Sequence, residues 1–402
     1  MAHDRCMPTT DTTTAPLDDE YDVVIVGARA AGAATAMLLA RSGIRVAAID
    51  KSTYGSDTLS THSIARAGVL LLSRWGVLDA LRAADTPVAD TMVFNYGPDT
   101  IAIDVRPSGD VDGLYSPRRT VLDRSLVDAA VDAGATIRHD TKVTGLVRDE
   151  RGRVIGIDVD DRGAPRAISA RFVVGADGMT SRVAERVGAT VLREERAGSG
   201  VVYGYFTGIA DPNVIENDFR VGRAAGVIPT NNGETCVWIA VPGADFRAEM
   251  ADGVNTAFMR AVETSRGLTE RLDGASLVSR LRSFPGRPGF LRQAWGPGWA
   301  LVGDSAYFKD PVSAHGLTDA LIGADLLAEA LVHAVQGGDE WTALADYQHK
   351  RNHLADPMMR AVAKVAAYEW DLAGVADAYL EMSAAMRLEW EFLQNRRALV
   401  AA

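Results

Sequence analysis

A run of apolar residues at 21–26 leads into Gly27-Ala28-Arg29-Ala30-Ala31-Gly32, followed by an Ala-, Leu- and Met-rich stretch that ends near Arg41. The β-branched run suits a strand buried on both faces of a parallel sheet. The stretch after it suits a helix packed closely on that sheet. Strand, glycine turn and helix together point to a dinucleotide-binding α/β architecture, because the helix N-terminus offers N–H groups and a positive dipole end to a pyrophosphate. A second strand at residues 44–49 ends at Asp50, where a carboxylate can accept hydrogen bonds from both ribose hydroxyls of an adenosine. Arg29 stands where the middle glycine of the fingerprint is expected, and its guanidinium could itself contact phosphate. On this segment alone a tight turn without a ligand stays open.

Two later segments repeat the pattern. Residues 172–174 read as a buried strand running into Gly175-Ala176-Asp177-Gly178, with a helix opening at Ser181-Arg182-Val183-Ala184. Residues 299–302 read as a short buried strand ending at Gly303-Asp304. Ligands sit at strand ends in open parallel sheets, so Asp304 is placed to hold a polyol. Beyond Asp310-Pro311 a helix begins at Gly316-Leu317, and its N–H groups could face a developing anion.

The ordered set of segments, over roughly residues 20–340, resembles the FAD-dependent oxidoreductases of the p-hydroxybenzoate hydroxylase fold. That superfamily includes class A flavin monooxygenases, geranylgeranyl reductases and flavin-dependent halogenases. The resemblance implies that Gly27, Ala30, Ala31 and Gly32 hold the pyrophosphate of FAD and Asp50 the ribose, with Lys51 beside it. It implies that Arg119 lies along the ribityl–pyrophosphate part and that Val143 meets the adenine through backbone; Arg118 is less easily placed. Asp177 falls at the turn shared by FAD and nicotinamide binding, Asp304 on the ribityl hydroxyls and Pro311 along the flavin ring. His315, Gly316 and Leu317 would offer backbone near N1 and the C2 carbonyl, where a glycine allows close approach.

The implied fold is α/β: a Rossmann-like FAD-binding domain with an inserted β-meander, an antiparallel-sheet substrate domain and C-terminal helices. Residues 1–20 are expected as a disordered tail, 21–190 and 290–340 as the FAD-binding domain, 191–289 as the substrate domain and 341–402 as the helical region. Residues 136–176 alternate short strand patterns with turns, as a meander requires. Aromatic residues of the β-rich stretch 198–242 could face a substrate or be core. Those of the tail, among them Tyr347, Tyr379, Trp390 and Phe392, must bury against the FAD domain or a second subunit, which leaves a homodimer open.

Composition narrows the partners. With 47% hydrophobic and 24% charged residues the chain can bury a large core. A formal net charge of −11 argues against nucleic acid. No apolar run approaches the roughly 20 residues of a membrane span, and the Thr- and Asp-rich start lacks a secretory core, so the cytoplasm is expected. Cys6 and Cys236 are the only cysteines, too few for a disulfide framework or a cysteine metal site.

The chemistry is less constrained, since a flavin carries the redox step and the protein supplies position and electrostatics. His62, in Ser60-Thr61-His62, is a candidate acid or base near neutral pH, although a lone histidine there also satisfies backbone groups. His315 is the second catalytic candidate, as a flavin neighbour. Lys309 and Asp310 could be polar groups beside the flavin or a surface ion pair. Monooxygenation leads: NADPH or NADH as reductant, and one oxygen atom from O2 inserted into an aromatic or other electron-rich small molecule. A C=C reductase of the geranylgeranyl reductase type is the alternative, and an FAD-binding scaffold without turnover is the reading from another class. Halogenation is disfavoured, because residues 238–242 supply one tryptophan where those enzymes carry a pair.

Overall fold

In the computed structural model the described residues are 17–60, 63–161 and 163–396. Most of the expected disordered tail, residues 1–16, lies outside them. Leu17 is already packed, buried beside Tyr21.

Five parallel strands form the central sheet, in the order Trp299–Leu301, Ala164–Gly175, Glu20–Val26, Val46–Ile49, Thr136–Arg138. Val24 stands between Val173 and Ala47 in register. Alternation along the first strand divides the core. Val23 and Ile25 pack under the helices Ala30–Arg41, Arg119–Asp132 and Gly316–Val335, whereas Val24 and Val26 pack on the opposite face with Val154, Ile157 and Val159. Both faces are therefore dry along residues 23–26, which is why those four positions read as an unbroken apolar run. The second face is covered by the expected meander, in which Lys142–Arg148, Val154–Asp161 and the first half of Ala164–Gly175 pair antiparallel.

The second sheet runs Ser276–Leu277, Ser199–Thr207, Thr235–Pro242, Arg223–Pro229, Val214–Arg220, Thr91–Tyr96, Asp99–Asp104, with Arg282–Phe284 also on Ser199–Thr207. Its last two strands come from within residues 21–190, so the sheet crosses the boundary drawn at 190. Thr91–Tyr96 joins by parallel pairing with Val214–Arg220, and Tyr96 stacks on Phe219 with ring centroids 5.3 Å apart. One face packs Val202, Phe206 and Val227 against Phe258 and Val262 of the Val254–Glu263 helix. The other turns Tyr203, Tyr205 and Trp238 toward the C-terminal helices.

Those helices, Glu340–Ala367 and Leu372–Gln394, find partners for their aromatic residues within the chain. Tyr347 is buried and donates to the Leu301 carbonyl at 2.7 Å. Tyr379 packs on Phe94 and Phe219, and Trp390 and Phe392 lie against the main core. Among the described residues no helix is long and apolar enough to cross a membrane.

Candidate active site

The three glycine segments meet at the carboxyl ends of the parallel strands. A Cβ added at Gly27 would stand 2.4 Å from the Ala176 carbonyl oxygen, and one at Gly32 would stand 1.9 Å from that of Gly27. A Cβ at Gly303 would come within 2.8 Å of Ala31 Cβ. Gly27 and Gly303 also hold φ of +103° and +62°, a region that side chains disfavour. Backbone of the second and third segments thus lies directly on the first.

Two helix N-termini open onto this junction. The Ala30–Arg41 helix starts at Arg29 with no side chain capping it, and the Gly316–Val335 helix starts at His315 in the same state. First-turn N–H groups have no acceptor within their own helix, so both ends can receive an anion. Around Gly316 an added Cβ would meet nothing within 4 Å. Leu317 beside it is buried in the core.

The charged residues of the first segment are anchored to one another. Asp50 is buried; Ala28 N–H donates to Oδ2 and Ser52 N–H to Oδ1, each at 2.7 Å. It ties the glycine turn to the second strand and keeps lone pairs for further donors. Lys51 is exposed. Arg29 donates to the Ser56 carbonyl at 3.0 Å and to Asp123 at 2.9 Å, and Arg119 donates to the same Asp123 through Nε at 3.0 Å and Nη2 at 2.9 Å. Two guanidinium groups sharing one carboxylate leave a net positive charge, the sign a phosphate needs.

Asp177 turns toward the next helix. Ser181 Oγ and the N–H groups of Arg182 (2.7 Å) and Val183 (3.1 Å) donate to its carboxylate, so it takes the first N–H groups of Arg182–Val187, whose N-cap is Ser181. Val143 pairs with Val159 in the meander. Arg118 bridges elsewhere: it donates to Glu234 and, at 3.1 Å, to Asp57, and its guanidinium lies 3.6 Å from the Tyr205 ring centre. Arg282 donates to the same Asp57 at 2.9 Å.

Asp304 is half-buried in the turn Gly303–Ser305. Burial raises its pKa, against the opposing pull of Lys309 and Arg119, which face it. Lys309 and Asp310 do not form a surface ion pair, because both are buried. Lys309 Nζ lies against Asp319. Burial draws Lys309 down to about 7, and the charges of Glu389 and Asp304 oppose that shift. Asp310 accepts from Ser199 N–H at 2.5 Å and from Val312 N–H at 2.9 Å, which fastens the loop of Pro311 to the second sheet. His315 is 1% exposed, and its Nε2 stands 2.7 Å from the Glu389 carboxylate. His62 lies outside the described residues.

Glu389 was absent from the sequence reading, although a signal existed. Val375, Ala378, Met382, Ala385, Glu389 and Leu393 form the buried stripe of the Leu372–Gln394 helix, with one carboxylate among apolar positions. His315, Asp319 and Glu389 bring ligand atoms within 4.8 Å of one another, but Lys309 Nζ already occupies the Asp319 side of that group.

Between the second sheet and the C-terminal helix lies a cavity of about 650 Å³. Pro311 to His315 form one wall; Val201, Tyr203, Cys236 and Trp238 form the sheet wall; Tyr379, Met382 and Met386 come from the helix. The lining is largely apolar, and burial pushes the Cys236 thiol up to about 12, leaving it un-ionised at neutral pH. Ile101, Ile103 and Leu380, 48%, 49% and 69% exposed, mark the mouth with Arg387.

Uncapped helix ends, a glycine cradle and an adjoining apolar cavity define a dinucleotide-binding flavoprotein. Comparison with known proteins agrees. The profile of the FAD binding domain family matches residues 20–362. Digeranylgeranylglycerophospholipid reductase 2 of Methanopyrus kandleri is 26% identical over 338 residues, 80% of this chain and 79% of that protein. A triple mutant of the flavin-dependent brominase Bmp2 superposes with a TM-score of 0.79 at 18% identity, covering 92% of this chain and 94% of that one. The probable FAD-dependent monooxygenase PqsL of Pseudomonas aeruginosa superposes with a TM-score of 0.76 at 20% identity, over 90% and 99% of the two chains. The two structural likenesses show the fold alone. The chain belongs to the FAD binding domain family and is an FAD-dependent oxidoreductase of the p-hydroxybenzoate hydroxylase fold.

Proposed function

We propose that this enzyme reduces a carbon–carbon double bond of an apolar small molecule, drawing electrons from NADPH or NADH through FAD. The observation that carries the reading is the cavity: about 650 Å³ of mostly apolar lining that runs from the Pro311–His315 loop to a mouth with exposed isoleucine and leucine side chains. A substrate with a polar body would lose hydration along the apolar walls, where only scattered groups such as Ser60, Asn217 and Arg66 can replace its hydrogen bonds. The sequence relative named above is a reductase of a prenylated lipid, whereas the monooxygenase and brominase are alike only in fold. This reverses the order in which the sequence alone ranked oxygenation and reduction.

The protein's own groups divide the work. Ala30, Ala31 and Gly32 at the uncapped helix end would hold the pyrophosphate, with the Arg29–Asp123–Arg119 cluster supplying positive charge. Asp50 and Lys51 would take the ribose side, Val143 the adenine, and Asp177 the turn that it braces. Asp304 would receive the ribityl hydroxyls, while Pro311, Gly316 and Leu317 border the ring. Bound FAD would supply the two-electron redox chemistry. Val201, Trp238 and Met382 exclude water from the reacting double bond, and Tyr203, whose phenol burial pushes up to about 12, is a proton-bearing group of the wall.

The same dryness suits oxygen transfer to an electron-rich ring, the second reading. Product mass separates the two. With NADPH or NADH as reductant, and with isoprenoid alkenes and phenols offered once anaerobically and once under labelled O2, a reductase adds two hydrogens in both cases and incorporates no label. Incorporation of one labelled oxygen would overturn the first reading in favour of the second.

A further inference from the structure

His315 and Glu389 lie on different elements, 74 positions apart in the chain. Glu389 stands beyond residue 362, where the match to the family ends. Both line the substrate cavity, and both are buried to about 1% exposure. The 2.7 Å contact engages Nε2 of the imidazole. Nδ1 is buried and has no hydrogen-bond partner among the described residues. A buried polar atom without a partner is uncommon in a finished fold, and a bound group is one way to complete it.

We propose that Glu389 is a positioning residue: it accepts the Nε2–H of His315 and so fixes the ring with Nδ1 as the atom that meets the group bound beside the Pro311–Leu317 loop. A carboxylate facing Nε2 selects the tautomer and the ring plane together. The contact also pins the Leu372–Gln394 helix, which supplies Tyr379, Met382 and Met386 to the cavity, against the loop that would border the flavin. Tyr379 of the same helix donates to the Val312 carbonyl of the same loop at 3.4 Å, so the His315–Glu389 contact is the shorter of two bonds, among the described residues, that align loop and cavity wall. Lys309 lies against Asp319 beside it and also feels the Glu389 charge; Asp319 Oδ1 stands 3.9 Å from Nε2, farther than the Glu389 carboxylate. The inference rests on the FAD reading for the identity of the bound group, but not for the contact itself.

The test compares wild type, Glu389→Gln and Glu389→Leu as FAD-loaded protein. The readouts are the side-chain nitrogen resonances of His315, the visible spectrum of the flavin, and kcat against KM. The glutamine oxygen still accepts Nε2–H, so Glu389→Gln is expected to keep the His315 signals and the spectrum. Glu389→Leu is expected to lose the fixed Nε2–H signal, to shift the flavin bands and to lower kcat by about tenfold or more. Unchanged His315 signals in Glu389→Leu would overturn the proposal, as would a loss in Glu389→Gln equal to that in Glu389→Leu. If Glu389→Leu does not fold, Glu389→Gln decides: loss of the Nε2–H signal refutes the positioning role and retention supports it. A wild type that takes up no FAD would fail the cofactor reading, while the resonance comparison would still decide the contact.

Discussion

Gly303 rests on Ala31 so closely that a Cβ on the glycine would stand 2.8 Å from the alanine methyl. The two residues are far apart in the chain, yet their contact brings the Asp304 turn onto the end of the first glycine helix. Gly303→Ala combines that clash with a φ of +62°. It is expected to cost about 1–3 kcal/mol and to weaken FAD retention, read by urea unfolding and by the ratio of flavin to protein absorbance.

Asp304 tests the cofactor assignment with less disturbance to the fold. Its side chain is half-buried and faces Arg119 and Lys309. Asp304→Ala should abolish FAD retention while the far-ultraviolet circular dichroism stays near that of wild type. A variant that purified with full FAD and normal activity would remove Asp304 from the site.

Lys309 gives a signed dependence on pH. Its folded value is lowered to about 7 by burial, from an ordinary 10.5. Between those values the unfolded chain holds a proton that the folded chain has released, so this group makes stability rise with pH across that window. Lys309→Met should remove the rise: the variant's stability relative to wild type should fall as pH increases from about 7 toward 10. Urea midpoints measured at several pH values check this, and a difference that stayed flat would contradict it.

Arg118, at the start of the Arg119–Asp132 helix, joins that helix and the Asp57 segment to the second sheet through Glu234 and the ring of Tyr205. Arg118→Ala leaves two mostly buried carboxylates short of a partner and is expected to cost about 2 kcal/mol or more. Arg118→Lys keeps the charge but loses the fork and the stacked plane, so it should recover only part of that stability.

Ala376 lines the cavity from the C-terminal helix. Ala376→Trp would fill part of the space without touching the glycine junction. Turnover of apolar substrates is expected to fall at least about tenfold in kcat/KM, with FAD content unchanged. Equal loss of FAD and turnover would mean that cavity and cofactor site are not separate.

The glycine junction of this arrangement was legible in the sequence because it is built from local backbone requirements. Gly27, Gly32 and Gly303 sit where a side chain cannot; Gly27 and Gly303 follow short apolar strands, and Gly32 opens the first helix. Such features survive in a linear reading. The pairings that assemble the pocket did not, because they join residues 74 to 225 positions apart, as in His315 with Glu389 and Asp57 with Arg282. Nor did the sequence show that residues 91–104 leave the first stretch to extend the second sheet, since that hairpin reads as local and declares its partner only through the register with Val214–Arg220. Lys309 was read as either a polar neighbour of the flavin or part of a surface ion pair, because its burial beside Asp319 shows only in the folded arrangement.

The central claim is that the three converging segments hold one FAD. The most direct measurement is a titration of flavin-stripped protein with FAD, followed by flavin fluorescence, in wild type and Asp304→Ala. A single tight site per chain in wild type, lost in the folded variant, is the predicted result. Saturable binding of equal affinity in both proteins, or none in wild type, would contradict it.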